Sequence, residues 1–463
     1  MNRYRIFTYL CLLFVVPFLR AQDDDDPKKK KIGPPMIDGL KALKHDDPKV
    51  RYRAAHTLAE LGPLAKFALP ELREMLEDKN PMVRLKAAEA LWKIDKTPSA
   101  TLMPVLLQAL KDKDHGVRSE APRVIALLGA KAKPAVPALV EALKDKEFDV
   151  KLAAITALGD LGPVAKESAG ALLDLTNDKE FFLLDPFVGA ALSNLGDGAV
   201  PTLAQAVMSK SVDRVRLAAY ALGSMGPRAV LATPELVLAL RDKEAAIRAP
   251  AARALGKIGP DATSTVPRLE KALADPIAVV RIEAALAIWL ITGETKHVPV
   301  LVKDLGDESV NVRETACQAL ATMKGSAKDA VEPVAKLLND KELRVRAIMT
   351  LGEIGPPADK IAPELKKLLQ GKDGDTQLAA AFALWQITGD AKESLKVLNG
   401  LLATEKHYTP TIQVLGQMGP AADSLLPTLV ALWREEDVRA DRLALANAIK
   451  QIDPKAALRL GIK

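Results

Sequence analysis

A short phrase that returns about every 33 residues constrains this chain more than any other feature of its sequence. Its core is a β-branched residue followed by a base, and the steps between copies are 32 to 34 residues, or about twice that where a copy is degenerate. The copies are Val50-Arg51, Val83-Arg84, Val117-Arg118, Val150-Lys151, Val215-Arg216, Ile247-Arg248, Val280-Arg281, Val312-Arg313 and Val345-Arg346. Repeats of this length predict a stacked array of helical units rather than a closed globule, and such arrays mostly bind other molecules.

Two helical patterns alternate within each repeat. The first helix is typified by the run from Val136 to Leu143, whose apolar residues recur at the i, i+3, i+4 and i+7 spacing of one helix face, with a proline near the start. The second helix carries the Val-Arg pair and commonly ends in a Gly-Pro step such as Gly162-Pro163. The pattern predicts an all-α chain of about 13 antiparallel helix pairs over residues 35–452, with 453–463 as a C-terminal capping segment.

An aspartate stands six residues before the base in most copies. We expect this aspartate to accept amide hydrogen bonds in the turn and to pair with the arginine of its own or the next repeat, which would fix the stacking register. The alternative is an anion-binding column of arginines, which Lys151 and Leu184 interrupt. The pairs are Asp78 and Arg84, Asp112 and Arg118, Asp242 and Arg248, Asp275 and Arg281, and Asp307 and Arg313.

The combination of first-helix proline, inter-helix aspartate and second-helix arginine resembles the HEAT-repeat family, in particular the bacterial HEAT-like repeats of the phycobilisome-lyase type. Examples are Pro104 with Asp112 and Arg118, and Pro267 with Asp275 and Arg281. The resemblance covers residues 35–452. It implies an alpha-alpha superhelix, a HEAT/armadillo-like solenoid whose second helices line the concave face. That face would bind a protein or an extended peptide.

The N-terminal segment has a composition of its own. Residues 1–21 combine Arg3 and Arg5 with an apolar stretch from Ile6 to Leu19, which is typical of a secretory signal peptide. Residues 22–34 form a charged, low-complexity linker that we expect to be disordered. We therefore expect an exported protein, periplasmic or secreted, with no stable membrane span after cleavage, although an N-terminal membrane anchor is an alternative.

Charge and composition restrict the partners. The net charge is +6, and half of it comes from Arg3, Arg5 and Arg20, so the rest of the chain is nearly neutral and has no basic stripe. Aromatic residues make up only 4% of the chain, which leaves few platforms for stacking bases. We expect a monomer with a protein or extended peptide as partner and no nucleic-acid ligand.

The residues that usually carry catalysis are sparse. The five histidines lie in distant repeats and no two stand at metal-ligand spacing. Cys317, the single cysteine after residue 21, stands where other copies have alanine and reads as a small buried residue. We predict a non-catalytic chain with no catalytic, metal or cofactor residues. The alternative, which family similarity alone suggests, is a HEAT-like enzyme or a chromophore-handling protein with lyase or oxidoreductase activity.

Charged residues of the second helices are the first candidates for binding a partner. We expect Lys86, Glu89, Glu120 and Arg123 to be exposed, at positions between the recurring residues of the repeat. Their side chains would then be free to contact a protein or peptide. A reversal of their charges together would reduce the capture of that partner.

Aromatic residues at breaks in the phrase are the second group of candidates. Trp92, Trp289 and Trp385 occupy one column in copies that lack the Gly-Pro step, where they either anchor a partner or fill space left by an altered connection. Phe181, Phe182 and Phe187 surround a proline in a degenerate copy. These phenylalanines either lie exposed on a bent repeat or pack inward around a kink.

Overall fold

The computed structural model describes residues 36–434 and 442–462, and within these ranges it is helical and contains no β-strand. The predicted signal peptide and linker, residues 1–34, lie outside the described residues. The first helices of the pairs carry odd numbers and the second helices even numbers. In chain order the helices are α1 Met36–Leu43, α2 Pro48–Leu61, α3 Leu69–Glu74, α4 Pro81–Asp95, α5 Ser99–Ala109, α6 His115–Leu127, α7 Val136–Ala142, α8 Phe148–Leu161, α9 Ala169–Asp174, α10 Phe181–Asn194, α11 Val200–Val207, α12 Val212–Met225, α13 Thr233–Ala239, α14 Ala245–Ile258, α15 Val266–Ala272, α16 Ala278–Thr292, α17 Val298–Asp304, α18 Val310–Met323, α19 Val331–Lys336, α20 Arg344–Ile354, α21 Ala362–Leu369, α22 Gly374–Thr388, α23 Lys392–Leu401, α24 Tyr408–Met418, α25 Leu426–Arg434, α26 Arg442–Ile452 and α27 Pro454–Arg459.

These helices confirm the predicted all-α architecture of stacked helix pairs. The chain divides into two compact units, Met1–Val105 and Leu106–Lys463. In the first unit α2 packs against α4, and in the second each even-numbered helix from α6 to α24 packs beside the next even-numbered helix. Buried alanines in the middle of the second helices allow this close packing. Gly256 of α14 marks one close approach, because a Cβ atom there would lie 2.6 Å from the Cα of Ala287 on α16.

Most second helices lead into a connector of 3₁₀ helix. The α-helix ends at the Gly-Pro step, as predicted: Gly162 has a φ of 57° and follows the last residue of α8. The chain then continues as a 3₁₀ helix, Gly162–Ser168. The alanine in the middle of this connector, Ala165, is fully buried. Connectors of this kind follow α2, α6, α8, α12, α14, α18, α20 and α24.

The three tryptophan-bearing copies lack the 3₁₀ connector. After α4, α16 and α22 the chain passes directly to the next first helix through residues 96–98, 293–297 and 389–391. The direct passage also changes the helix that follows α4. The repeat pattern predicts Pro104 in the first turn of α5. It lies inside the helix instead, because α5 begins at Ser99 and so has an additional turn before the proline.

The degenerate aromatic stretch forms part of a single helix. α10 continues through Pro186, whose missing amide leaves the carbonyl one turn earlier without its usual helical donor. The phenylalanines divide between core and surface: Phe181 is buried, Phe187 is half-buried, and Phe182 is 75% exposed. Neither of the two interpretations of this stretch therefore describes all three side chains.

The C-terminal segment adds one short helix, α27, which packs against α26. Asp453 caps α27 by accepting a hydrogen bond from the amide of Lys455. Among the described residues, none of the helices combines the length and apolar character needed to cross a bilayer.

Candidate protein-interaction surface

The recurring aspartates and bases form a ladder between repeats. In a complete rung, Arg118 binds the carboxylate of Asp145 in the next repeat, with 2.7 Å between Nε and Oδ2, and donates to the backbone oxygen of Asp112 in its own repeat. The Asp145 carboxylate also accepts a hydrogen bond from the amide of Glu147. The hydrogen bond from Arg118 holds the pKa of Asp145 below its ordinary value, and burial opposes this shift only in part.

The same geometry recurs along the chain, with one shifted rung. Lys151 replaces an arginine but keeps the pairing, because its Nζ lies 2.9 Å from Asp178 and 2.6 Å from Glu180. The aspartate partners of the ladder are 27 residues away except at Arg281, which binds Asp304, 23 residues on. The remaining rungs join Arg51 to Asp78, Arg248 to Asp275, and Arg313 to Asp340. Both partners of each of these rungs are used inside the fold, so these rungs do not offer an anion site. Arg84 donates to the backbone oxygen of Asp78 in its own turn and forms no rung within the described residues.

Two consecutive second helices leave the ladder. In α10 the ladder position is taken by Leu184, whose amide donates to the carbonyl of Glu180 four residues earlier and whose side chain is fully buried. In α12 the buried Val215 takes that register, so Arg216 is rotated away and binds Asp185 instead, at 3.0 Å. Burial rather than the Val-Arg pair therefore defines the register of these helices.

Lys86 and Glu89 are buried, and the prediction that they are exposed is wrong. Lys86 Nζ lies 2.8 Å from Glu89 Oε2 and 4.9 Å from the centre of the Tyr52 ring. Lys93 joins Glu89 to Glu60, at 3.0 Å and 2.9 Å. Two opposite charges one helical turn apart neutralise each other when a neighbouring helix covers them. These two side chains are therefore not available to a partner.

The other candidate residues are at least partly accessible. Glu120 and Arg123 bind each other within α6, with 2.8 Å between Oε1 and Nε. The three tryptophans are half-buried, and each has a different environment. Lys96 lies 4.9 Å from the Trp92 ring, Trp289 packs against the core, and the Trp385 ring lies 5.6 Å from that of Phe382.

A row of exposed side chains, which sequence reasoning missed, follows the C-terminal ends of the second helices. Some of its members lean over a glycine of the preceding second helix: Lys257 over Gly223, and Gln386 over Gly352, where its Oε1 lies 2.5 Å from the place of a Cβ atom. We call this set the carboxyl-end row. In the second unit its members are Leu127, Asp160, Asn194, Ser224, Lys257, Leu290, Thr322, Glu353, Gln386, Gln417 and Gln451. All are exposed or half-buried.

Side-chain amides dominate the row in the last repeats. The residues four positions earlier lie one turn away on the same helix face, and together the two positions form an amide face from α18 to α26. Its amides are Gln318, Gln386, Gln413, Gln417, Asn447 and Gln451. None of them has a hydrogen-bond partner among the described residues. Met349 and Phe382 lie between them in the same register.

Charge on the central part of the row is only partly compensated. Burial, together with the nearby charge of Arg253, lowers the pKa of Lys257, whose ammonium lies 5.6 Å from the centre of the Tyr220 ring. Burial likewise raises the pKa of Asp160. Arg253 itself binds Glu283 of the next second helix, at 3.0 Å from Nε.

A cleft of about 630 Å³ adjoins the amide face. It lies where the ends of α18, α20 and α22 meet, and the absent connector after α22 leaves it open. Trp385, Ile354 and two prolines form apolar walls, while Lys324, Glu353 and Gln386 bring polar groups. The lining residues are Lys324, Gly325, Gly352, Glu353, Ile354, Gly355, Pro356, Pro357, Trp385, Gln386 and Gly389.

Histidine, cysteine and acidic side chains do not converge on a metal site in the part of the chain that the structure describes. In residues 36–434 and 442–462, no cluster of three or more histidine, cysteine or acidic side chains could hold a metal ion. Cys317 is fully buried, and burial raises the pKa of its thiol to about 11.

Comparisons with known proteins agree with this architecture. A family model described as HEAT repeats matches residues 37–121, 103–184, 200–289, 266–346 and 331–409. The structure of Kap121p is similar with 13% identity and a TM-score of 0.54, over 91% of this chain and 58% of that chain. Importin beta gives 14% identity and a TM-score of 0.46, over 92% and 69%. The chain therefore spans little more than half of Kap121p, and the likeness shows the fold alone. No curated protein matches the chain.

Proposed function

Because this chain belongs to the HEAT-repeat family, we propose that it is a non-catalytic scaffold that binds an extended segment of a protein partner along the amide face. HEAT repeats stack into surfaces that contact a ligand over several units, and this use needs no catalytic group. The phycobilisome-lyase type remains a prediction.

The amide face carries this proposal. A side-chain amide offers both donors and an acceptor, so it can bind the N–H and C=O groups of an extended peptide whatever its side chains. Gln386, Gln417 and Gln451 present such amides on three successive second helices, and these amides have no partner within the described parts of the chain. By contrast, the charged side chains of α4 and the ladder are already paired.

A peptide-binding measurement with matched variants tests the proposal. Peptides selected on the wild-type protein from a random 15-residue display library would be measured by fluorescence anisotropy. The variant Gln386→Ala, Gln417→Ala, Gln451→Ala removes three hydrogen-bonding groups, so we expect the affinity to fall about 10- to 100-fold.

The control variant changes the same residue type on exposed positions of the first-helix side, as Gln108→Ala, Gln205→Ala, Gln370→Ala. It should bind like the wild type. Equal affinities for all three proteins, or an equal loss in both variants, would contradict binding at the amide face.

We also propose that the protein is exported, on the basis of the basic start and apolar stretch of residues 1–21. N-terminal sequencing of the protein purified from its native host tests this. A mature terminus near residue 22 would support export with cleavage, whereas an intact Met1 would contradict cleavage.

A further inference from the structure

The cleft beside Trp385 combines an unusual backbone with an apolar wall. Lys324 ends α18 with φ 50° and ψ −135°, a conformation that only glycine adopts without strain. At the corresponding position of other copies the residue is glycine, as in Gly62 at φ 55° and ψ −135°, and Gly419 at φ 56° and ψ −135°. A lysine is therefore held at a strained position, and it lines the cleft.

The cleft exists because one repeat is built differently from its neighbours. After α20 the chain forms the 3₁₀ connector Pro356–Ile361, whereas α22 continues to Thr388 and passes to α23 with no connector. The space that a connector would fill beside Pro356 and Pro357 is left open, and Trp385 closes one side of it. In complete copies the connector buries a small apolar residue, as Ala358 and Ala422 are fully buried.

We propose that this cleft binds one bulky apolar side chain of the partner segment, with a neighbouring carboxylate of that segment paired to Lys324. This inference rests on the proposed function, because Gln386 belongs both to the amide face and to the cleft. The indole of Trp385 and the two proline rings provide the apolar contact. The Lys324 ammonium is exposed and has no acidic partner among the described residues, so a carboxylate brought by the partner finds a free cation there.

Glu353 has a separate role at the opposite polar part of the cleft. It belongs to the carboxyl-end row and, like Lys324, it has no ion pair among the described residues. Its carboxylate can accept a hydrogen bond from a main-chain N–H of the partner, so the segment would leave the amide face at Glu353 and place its apolar side chain beside Trp385. The partner is therefore defined by an acidic residue next to a large apolar residue.

Three small probes separate the parts of this site. Indole-3-acetate has a flat apolar ring and a carboxylate, tryptamine has the same ring and an ammonium, and acetate has only the carboxylate. Isothermal titration should give indole-3-acetate a Kd on the order of 1 mM, as expected for a ligand of this size. Tryptamine and acetate should bind at least about fivefold more weakly.

Substitutions in the cleft give the decisive comparison. Lys324→Gly should weaken indole-3-acetate about two- to fivefold and also raise Tm, because it removes both the cation and the strain. Lys96→Gly, at the other left-handed lysine, is the matched control and should leave binding unchanged. Gly325→Leu adds a side chain to the wall, where a Cβ atom has room at 3.9 Å from Ile354 and Pro357, and should abolish binding without disturbing the fold.

The proposal is overturned if tryptamine binds as tightly as indole-3-acetate. It is also overturned if either cleft variant binds indole-3-acetate with the wild-type affinity. Such a failure leaves the amide face testable by itself, because the glutamine variants are measured with selected peptides. Loss of peptide binding in those variants, with no binding of indole-3-acetate to the wild type, would retain the scaffold and reject the cleft.

Discussion

At the scale of single residues, the ladder links successive repeats through a recurring aspartate and a recurring base. Each arginine uses its fork twice, on the carboxylate of the next repeat and on a backbone oxygen of its own turn. The side chains of Arg118 and Asp145 are only 12% and 14% exposed, so the carboxylate has exchanged much of its water for the guanidinium. An uncharged residue in place of Asp145 leaves that guanidinium with a poorer hydrogen-bond acceptor, and this lowers the free energy of unfolding.

Asp145→Asn should therefore lower the free energy of unfolding at pH 7 by about 1–3 kcal/mol. The folded-state pKa of Asp145 is lowered by Arg118, so the rung stabilises the fold above the ordinary carboxyl pKa and loses this effect as the pH falls through the lowered pKa. The difference between variant and wild type should consequently shrink below about pH 4. Urea unfolding at several pH values measures it, with Asp149→Asn, an exposed position on α8, as control. A difference that stays constant down to pH 2 would contradict this origin.

At the scale of helices, close approach depends on small residues at two positions. Gly256 of α14 faces the backbone of Ala287, and Leu290 of the carboxyl-end row lies 3.2 Å from the place of its missing Cβ atom. The glycine therefore sets both the spacing of α14 and α16 and the path of the row across them. Gly400 in α23 does not set such a spacing, because a Cβ atom there would meet no other atom within 4 Å.

Gly256→Ala and Gly400→Ala should thus change stability in opposite directions. The first forces a Cβ atom against the backbone of α16 and should destabilise the protein by about 1–3 kcal/mol. The second removes helical backbone freedom at an open site and should stabilise it by about 0.5–1 kcal/mol. Chemical unfolding midpoints of the two variants provide the measurement. A destabilised Gly400→Ala or an unaffected Gly256→Ala would show that packing between second helices does not set this spacing.

At the scale of the whole molecule, the rungs of the second unit start from bases between Arg118 and Arg313, and the ladder is interrupted between them at α10 and α12. The replacement pairs there are more exposed than the rungs, since the Arg216 and Asp185 side chains are 39% and 28% exposed. Exposed pairs contribute little to stability, so the central repeats depend mainly on apolar packing. In a linear array each repeat is stabilised mainly by its neighbours, and a local deficit remains local.

Hydrogen exchange should reveal this deficit. We expect backbone amides of α10 and α12 to exchange faster than those of α14 and α16, where Arg248 and Arg281 form complete rungs. Mass spectrometry of peptides after deuterium labelling at neutral pH would measure the protection. Equal or greater protection of α10 and α12 would mean that the rungs do not control local opening.

The sequence alone predicts the helix pairs and the linking role of the aspartates and bases, because both follow from local periodicity and from residues at fixed spacing. Two features depended on rotation about the helix axis, which the Val-Arg pair does not specify. Val215 takes the ladder register of α12 because apolar burial outweighs one charged contact, and Lys86 and Glu89 are buried because a neighbouring helix covers their mutual pair.

The candidate surfaces divide in the same way. The tryptophan copies could be recognised as breaks in the repeat, and the missing connector could be inferred from the absent Gly-Pro step. The amide face and the Trp385 cleft could not, because each is assembled from side chains that lie about 30 residues apart and meet only when successive second helices pack. The repeat thus determined which helices form and how they link, whereas packing decided which side chains remain exposed between them.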